Sequence, residues 1–158
     1  MAQLTAAALH WTGGTVFEAE GAAGATLQID LPVEKGGTGL GFRPMELVLH
    51  ALGACLATTL VQVLAKQRLA LDGYDLTLRG ERAEKRPHPY TRIVVEHAFR
   101  GHGLTRTNLE RLVALVEERY CSVAATLPAG LVEHTVIIHG EATGSDGDST
   151  EPLAGAAG

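Results

Sequence analysis

The chain has 158 residues, a length typical of one domain that holds its own hydrophobic core without disulfides or metals. Hydrophobic residues make up 46% of it but aromatic residues only 4%, so the core must be built from aliphatic side chains. A formal net charge of −5 and the lack of a Lys/Arg-rich run exclude a basic surface for phosphate backbones, so nucleic acid is not an expected partner.

No membrane partner is expected either, and the protein is expected in the cytoplasm. Met1–Trp11 lacks the basic start and the long apolar region of a secretion signal. We also identify no apolar stretch of the roughly eighteen residues that a membrane-spanning helix requires. In a reducing compartment, a bond between the two cysteines, Cys55 and Cys121, would be transient and catalytic rather than structural.

The first third of the chain predicts antiparallel β-structure. Three segments, Gln3–Trp11, Thr15–Glu20 and Ala25–Leu31, read as strands separated by glycine-containing turns. The glycine-rich segment Gly36–Gly41 then raises the alternative of a phosphate-binding loop. It lacks the Lys-Ser/Thr pair and the surrounding βαβ unit that such a loop needs, so we interpret it as a flexible connection.

A long apolar helix is predicted next. It begins at Pro44, which suits the first helical position, and ends in the polar segment Lys66–Arg68. Between them, Glu46–Leu64 has no strong polar stripe, a pattern typical of a helix that is buried on all sides.

The second half predicts a hairpin, two helices and a last strand. Tyr74–Glu81 and Arg92–Phe99 alternate apolar and polar residues on either side of a Pro-His-Pro turn. Thr105 is placed to cap an amphipathic helix, Tyr120–Leu127 predicts a short further helical turn, and Val132–His139 is the last strand. The predicted order is βββ-α-ββ-αα-β, an α+β fold.

We expect one domain over residues 1–141 and a disordered tail over residues 142–158. The tail is rich in Gly, Ala, Ser and Asp and has no apolar period. Such a segment buries too little surface to offset the entropy lost on ordering.

The two cysteines are the first candidates for chemistry, although their positions alone leave their roles open. Cys55 lies mid-helix among Leu, Ala and Val, as inert core cysteines commonly do. Cys121 lies at a joint between helices, where free N–H groups and a helix dipole can lower the pKa of a thiol.

Two histidine pairs, His97/His102 and His134/His139, raise the alternative of a metal site. On predicted strands or turns this spacing does not bring both rings of a pair together, and no cysteine is near enough in sequence to complete a zinc motif. A serine hydrolase is disfavoured because the G-x-S-x-G elbow is missing. No metal or other cofactor is therefore expected.

The helical motifs resemble the OsmC/Ohr family, the osmotically inducible and organic hydroperoxide resistance proteins. The resemblance is carried by Pro44–Leu47 (PMEL) and Ala51–Cys55 (ALGAC) in the apolar helix, and by Tyr120–Val123 (YCSV) after the amphipathic one. The element order agrees as well, and the resemblance extends from about Gln3 to Glu141.

This resemblance implies an intertwined homodimer in which the Cys55 helices pack centrally, the sheets of both subunits wrap around them, and two active sites lie at the subunit boundary. It also implies a thiol-dependent peroxidase, in which the Cys55 thiolate attacks a peroxide and Cys121 resolves the product as a disulfide. An external dithiol would then reduce the pair. The aliphatic surroundings of Cys55 favour an organic hydroperoxide as substrate.

The chain departs from the family pattern beside the apolar helix. In peroxidase members a glutamate follows the proline and pairs with an arginine from the N-terminal strands, whereas this chain has Met45 there and Arg43 as its first arginine. Glu46 stands one residue late, a rotation of about 100° on a helix. Arg43 and Glu46 are kept as candidate activating residues, and helix capping is the alternative role for Glu46.

Two alternative functions stay open. One, which this departure favours, is an OsmC-like binding module that holds an apolar ligand or a thiol carrier without turning over peroxide. The other is a thiol-redox sensor, which requires exposed cysteines of low pKa.

Overall fold

Two three-stranded sheets and one long helix make up the fold, and the predicted order of elements is confirmed. The computed structural model describes residues 5–139. Gln3, Leu4, Gly140, Glu141 and the predicted tail, residues 142–158, lie outside the described part of the chain.

The first sheet is an antiparallel meander of β1 (Ala8–Gly13), β2 (Val16–Glu20) and β3 (Thr26–Ile29). β1 begins later than predicted because its pairing starts where Ala8 faces Glu20, the last residue of β2. Residues 5–7 therefore have no strand beside them to complete a ladder.

The long helix, α1 (Pro44–Lys66), begins at the predicted proline. Arg43 precedes it, and the Arg43 N–H donates to Glu46 Oε2 at 3.1 Å. This is one half of a capping box, and it satisfies a backbone donor that a helix start leaves free.

The second sheet has the order β4-β5-β6, with β4 (Gly73–Arg82) and β5 (Tyr90–Arg100) forming the predicted hairpin. β6 (Val132–His139) has the predicted bounds and pairs parallel to β5. Parallel neighbours need a crossover connection, which α2 (Arg106–Arg119) and α3 (Ser122–Thr126) supply.

The core lies between one face of the second sheet and the helices. Gly53 lets α1 approach β4 closely, since a Cβ added there would lie 2.8 Å from Leu78 Cδ1. The fully buried aliphatic and aromatic side chains come from α1, β5 and α2: Leu52, Leu56, Leu60, Leu64, Ile93, Val95, Phe99, Leu109 and Val116.

α1 is buried on one side only, which differs from the expected burial all round. Its other side is apolar yet exposed within the chain, and it carries Ala51, Ala54, Thr58, Val61 and Ala65. By length and composition α1 could also cross a membrane, contrary to the sequence-based expectation. Its packing against the second sheet and α2 identifies it as a core helix.

A buried carboxylate anchors the glycine-rich loop, whereas the sequence predicted a flexible connection. Asp30 is 1% exposed. Its Oδ1 accepts from the Thr15 hydroxyl at 2.6 Å and from the Leu31 N–H at 2.7 Å. Its Oδ2 accepts from the N–H of Thr38 at 2.7 Å and from the Thr38 hydroxyl. Asp30 thus ties this loop to the first sheet.

We predict that Asp30→Asn lowers the free energy of unfolding by about 2 kcal/mol or more, measured by urea denaturation. An amide has one acceptor oxygen, so donors that now face the carboxylate lose their partners. Asp72→Asn is the control, because that side chain is 65% exposed. Equal stability losses in the two variants would contradict the anchoring role.

Candidate functional site

The fold brings the two cysteines together from different elements. Cys55 lies in the middle of α1 and is half-buried, whereas Cys121 is 2% exposed and caps the N-terminus of α3. The Cys55 side chain is close enough to Cys121 to affect the pKa of the Cys121 thiol, and both cysteines are free. Two neighbouring free thiols are what a reversible disulfide requires.

Backbone hydrogen bonds at the end of α2 place Cys121. Its N–H donates to the Val116 carbonyl at 2.8 Å, so this hydrogen bond holds the residue against the last turn of α2. Its Sγ accepts from the Ala124 N–H at 3.3 Å. Cys121 thus links α2 to α3 and points its thiol toward α1.

The electrostatics of Cys121 run opposite to the sequence-based expectation of a lowered pKa. Burial raises the pKa of its thiol, the Ala124 N–H opposes the rise, and the neighbouring Cys55 thiol adds to it. The removal of solvent outweighs the N–H donor at this joint. The Cys121 thiol therefore stays protonated at neutral pH.

Arg43 and Glu46 lie at the start of α1, and within one chain the structure does not bring them to Cys55. Glu46 is about 13 Å from Cys55 along the helix axis at a rise of about 1.5 Å per residue. The two residues contact each other instead, with Arg43 Nε 3.7 Å from Glu46 Oε1.

A cleft of about 370 Å³ opens at the same end of α1. Met45, Arg43, Glu46, Arg82 and Tyr90 contribute to its walls. The Tyr90 hydroxyl donates to the Met45 carbonyl at 2.8 Å, which joins the second sheet to the helix start. The cleft combines apolar and charged groups but contains neither cysteine.

A buried histidine pair is the main feature that sequence reasoning missed. His97 on β5 is fully buried, and its Nε2 lies 2.9 Å from Nδ1 of His134 on β6. The Tyr74 hydroxyl lies 2.7 Å from the other ring nitrogen of His97. The sequence grouped each histidine with a near neighbour along the chain, whereas the contact is made across parallel strands.

Within residues 5–139, no group of three or more His, Cys, Asp or Glu side chains could hold a metal ion. The two rings of the histidine pair are hydrogen-bonded to each other rather than open toward a shared point.

Acid should destabilise the protein through His97. Burial, with a smaller effect of His134, lowers the pKa of His97 from 6.5 to about 3, so the folded chain keeps this ring neutral. The stabilisation is complete above pH 6.5 and is lost as pH falls toward 3, by about 1.4 kcal/mol per pH unit.

Chemical denaturation between pH 7 and 4 measures this slope. The slope should be shallower in His97→Gln, which cannot titrate, and unchanged in the control His10→Gln, since His10 is 59% exposed. A wild-type slope that survives intact in His97→Gln would contradict this assignment.

The combination of an apolar helix bearing Cys55, a capping Cys121 and this order of strands agrees with known proteins. The OsmC-like protein family model matches residues 37–136, which is more than half of the chain. The chain belongs to the OsmC-like protein family.

Individual relatives agree with this placement. Protein YhfA of Escherichia coli (strain K12) is 34% identical over 122 residues, which cover 77% of this chain and 87% of YhfA. A hypothetical protein from Aquifex aeolicus VF5 has a similar structure, with a TM-score of 0.75 and 25% identity over 87% of this chain and 97% of that one.

A hydroperoxide resistance protein is a more distant neighbour. The organic hydroperoxide resistance protein OsmC from Legionella pneumophila matches with a TM-score of 0.61 and 23% identity, covering 87% of this chain and 98% of that one. At that identity the match shows a shared fold.

Proposed function

We propose that this OsmC-like protein is a thiol-dependent peroxidase that reduces organic hydroperoxides with Cys55 and Cys121. The observation that carries the proposal is the pair of neighbouring free thiols, one half-buried and one buried. The half-buried Cys55 is the thiol that a substrate can reach, whereas Cys121 is placed to react with Cys55 alone.

The first step oxidises Cys55. Its thiolate attacks one oxygen of the hydroperoxide, the O–O bond breaks, and the departing alkoxide takes up a proton to leave as an alcohol. Cys55 is then a sulfenic acid. An apolar peroxide suits this position because Leu52 and Leu56, one turn or less away on α1, are fully buried in an aliphatic core.

The second step closes the disulfide. The Cys121 sulfur attacks the sulfur of the Cys55 sulfenic acid, and the hydroxyl leaves as water with the Cys121 proton. An external dithiol then returns both cysteines to thiols by exchange and becomes a disulfide itself. The raised pKa of Cys121 suits this order, because a protonated thiol does not compete for the peroxide.

We further propose that the protein is an intertwined homodimer. On the first sheet, Leu9 is 58%, Trp11 67% and Phe17 39% exposed in the single chain. The outer side of α1 is also apolar and exposed. Large apolar patches of this kind are typical of subunit interfaces, and a second copy of the chain would cover both.

One smaller point completes the proposal. The protein acts in the cytoplasm, where an external dithiol can keep the pair reduced.

Turnover of an organic hydroperoxide tests the function. Cumene hydroperoxide consumption is followed with dihydrolipoamide and, in parallel, with a monothiol at equal thiol concentration. Rapid turnover with the dithiol supports the peroxidase. A rate no higher than that of the reductant alone would overturn it.

One observation favours a second candidate, an OsmC-like module that binds an apolar ligand or a thiol carrier without turnover. Met45 occupies the position of the family glutamate, and Arg43 and Glu46 contact each other far from Cys55. Within one chain these two residues therefore supply no charge beside Cys55 to stabilise a thiolate. Peroxide assays that show no turnover would support this candidate.

A further inference from the structure

Four titratable side chains from four elements form one continuous contact chain across the second sheet. The Tyr74 hydroxyl meets His97 Nδ1 at 2.7 Å, and His97 Nε2 meets His134 Nδ1 at 2.9 Å. His134 Nε2 then lies 3.1 Å from Oε2 of Glu117, which belongs to the last turn of α2. The series therefore connects β4, β5 and β6 to the end of α2.

The Glu117 carboxylate determines which atom donates the proton in each of these contacts. A carboxylate only accepts, so His134 must present its Nε2–H to Glu117 and leave its Nδ1 bare. His97 must then donate from Nε2 and leave its own Nδ1 bare for the Tyr74 hydroxyl. Both rings are consequently neutral Nε2–H tautomers, and burial lowers the pKa of each.

The His134–Glu117 contact has an N···O distance of hydrogen-bond length, although the buried Nε2 of His134 has no hydrogen-bond partner of good geometry. With the His134 side chain 13% and the Glu117 side chain 30% exposed, solvent screens the contact only in part.

The surroundings of these four side chains are mostly apolar. The buried apolar groups of α2 are Leu109, Leu112, Val113 and Val116, and α1 contributes its row of leucines. Two further polar groups lie near: Arg106, whose Nη1 donates to the Val136 carbonyl at 2.6 Å, and the Cys121 thiol. Glu117 is the acceptor at which the chain of contacts ends.

Cys121 depends on the same turn of helix. Glu117 directly follows Val116, whose carbonyl accepts the N–H of Cys121 at 2.8 Å and that of Tyr120 at 3.0 Å. A displacement of Glu117 from the sheet would therefore move the backbone that holds the Cys121 thiol next to Cys55.

We propose that Glu117, His134 and His97 are positioning residues that hold the last turn of α2 on the second sheet and so keep Cys121 in reach of Cys55. This inference rests on the proposed peroxidase cycle and concerns its second step. The attack of Cys55 on peroxide should be unaffected, because the hydrogen bonds and charged contacts of the three residues are made with Tyr74 and with one another rather than with α1.

Competition for the sulfenic acid tests the proposal. Protein is treated with one equivalent of cumene hydroperoxide in the presence of dimedone, which captures sulfenic acid, and the ratio of dimedone adduct to disulfide is read by mass spectrometry. Glu117→Ala should raise this ratio about ten-fold, the factor that corresponds to the loss of one charge-assisted contact of about 1.4 kcal/mol. The rate at which the Cys55 thiol disappears should stay unchanged.

Two further variants separate positioning from helix stability. Glu118→Ala makes the same change at the neighbouring, exposed position of α2, and it should behave as wild type. Glu117→Gln keeps an acceptor oxygen and should restore part of the closure rate. Equal ratios in Glu117→Ala and Glu118→Ala would overturn the proposal.

Nitrogen-15 NMR of histidine-labelled protein gives a readout without peroxide. His97 and His134 should both be neutral Nε2–H tautomers at pH 7, and Glu117→Ala should release His134 from that state. An Nδ1–H tautomer of His134 in the wild type would overturn the proposal, because its Nε2 could then not donate to Glu117.

Failure of the peroxidase proposal would be seen separately. If no variant loses its Cys55 thiol to peroxide, the peroxidase cycle fails, and closure is then driven with diamide, which takes up the two hydrogens of the dithiol. Slower diamide closure in Glu117→Ala than in Glu118→Ala supports the positioning role, and equal rates contradict it.

Discussion

Cys55→Ser should abolish hydroperoxide consumption. A serine hydroxyl has far too high a pKa to act as the nucleophile that a peroxide bond requires, and Cys121 is buried with a raised pKa and cannot take over. We expect the rate with dihydrolipoamide to fall to that of the reductant without enzyme. The substitution changes one atom, so circular dichroism and thermal unfolding should remain close to wild type.

Cys121→Ser is the matched variant and should give a different product. Its first oxidation should proceed, but the sulfenic acid on Cys55 then has no partner and excess peroxide drives it to sulfinic and sulfonic acids. Mass spectrometry should find two or three added oxygens on the Cys55 peptide, whereas the wild type should lose two hydrogens as a Cys55–Cys121 disulfide.

A contrary result is equally clear. If the wild type remains a free dithiol under a modest excess of organic hydroperoxide, the peroxidase proposal fails. Met45 in place of the family glutamate then becomes the leading explanation, because no carboxylate and arginine remain to stabilise the Cys55 thiolate.

Ala54→Glu should convert the proposed homodimer into monomers. Ala54 is at the centre of the exposed apolar side of α1, with Val61 and Ala65 near the same line along the helix. In a dimer built on this side, a glutamate would be buried without a partner, which costs several kcal/mol per subunit. Light scattering should change from twice the chain mass of 16.6 kDa to that mass itself.

Gln62→Glu is the control for added charge on α1. Gln62 is exposed and polar already, and it lies about 80° around the helix from Ala54. This variant should remain dimeric. A wild type that scatters as a monomer at micromolar concentration would contradict the dimer outright, and a dimeric Ala54→Glu would place the interface elsewhere.

The helices and most strands could be predicted because their signals are local. β6 was found at its observed bounds, since it is rich in β-branched residues and the Pro128 and Gly130 turn precedes it. The Pro44 start of α1 and the Thr105 cap of α2, whose hydroxyl accepts from the Asn108 N–H at 3.4 Å, are likewise written in neighbouring residues.

The candidate site was predicted only in part. Cys55 and Cys121 came from the family motifs, and in the structure the two cysteines are neighbours. The direction of the pKa shift of Cys121 was wrong, because the sequence shows an N–H donor at a helix joint but does not show that the side chain is 2% exposed. Burial depends on residues far away along the chain.

By itself the sequence determined the order of elements, the aliphatic core and the two candidate thiols, because these follow from residue type and from periodicity within a few neighbours. Only the tertiary structure decided that His97 meets His134, that Glu117 closes their chain and that α1 leaves one apolar side exposed. The physical reason is that parallel pairing of β5 and β6 and the packing of α2 depend on contacts between residues distant in sequence, whose register no local pattern specifies.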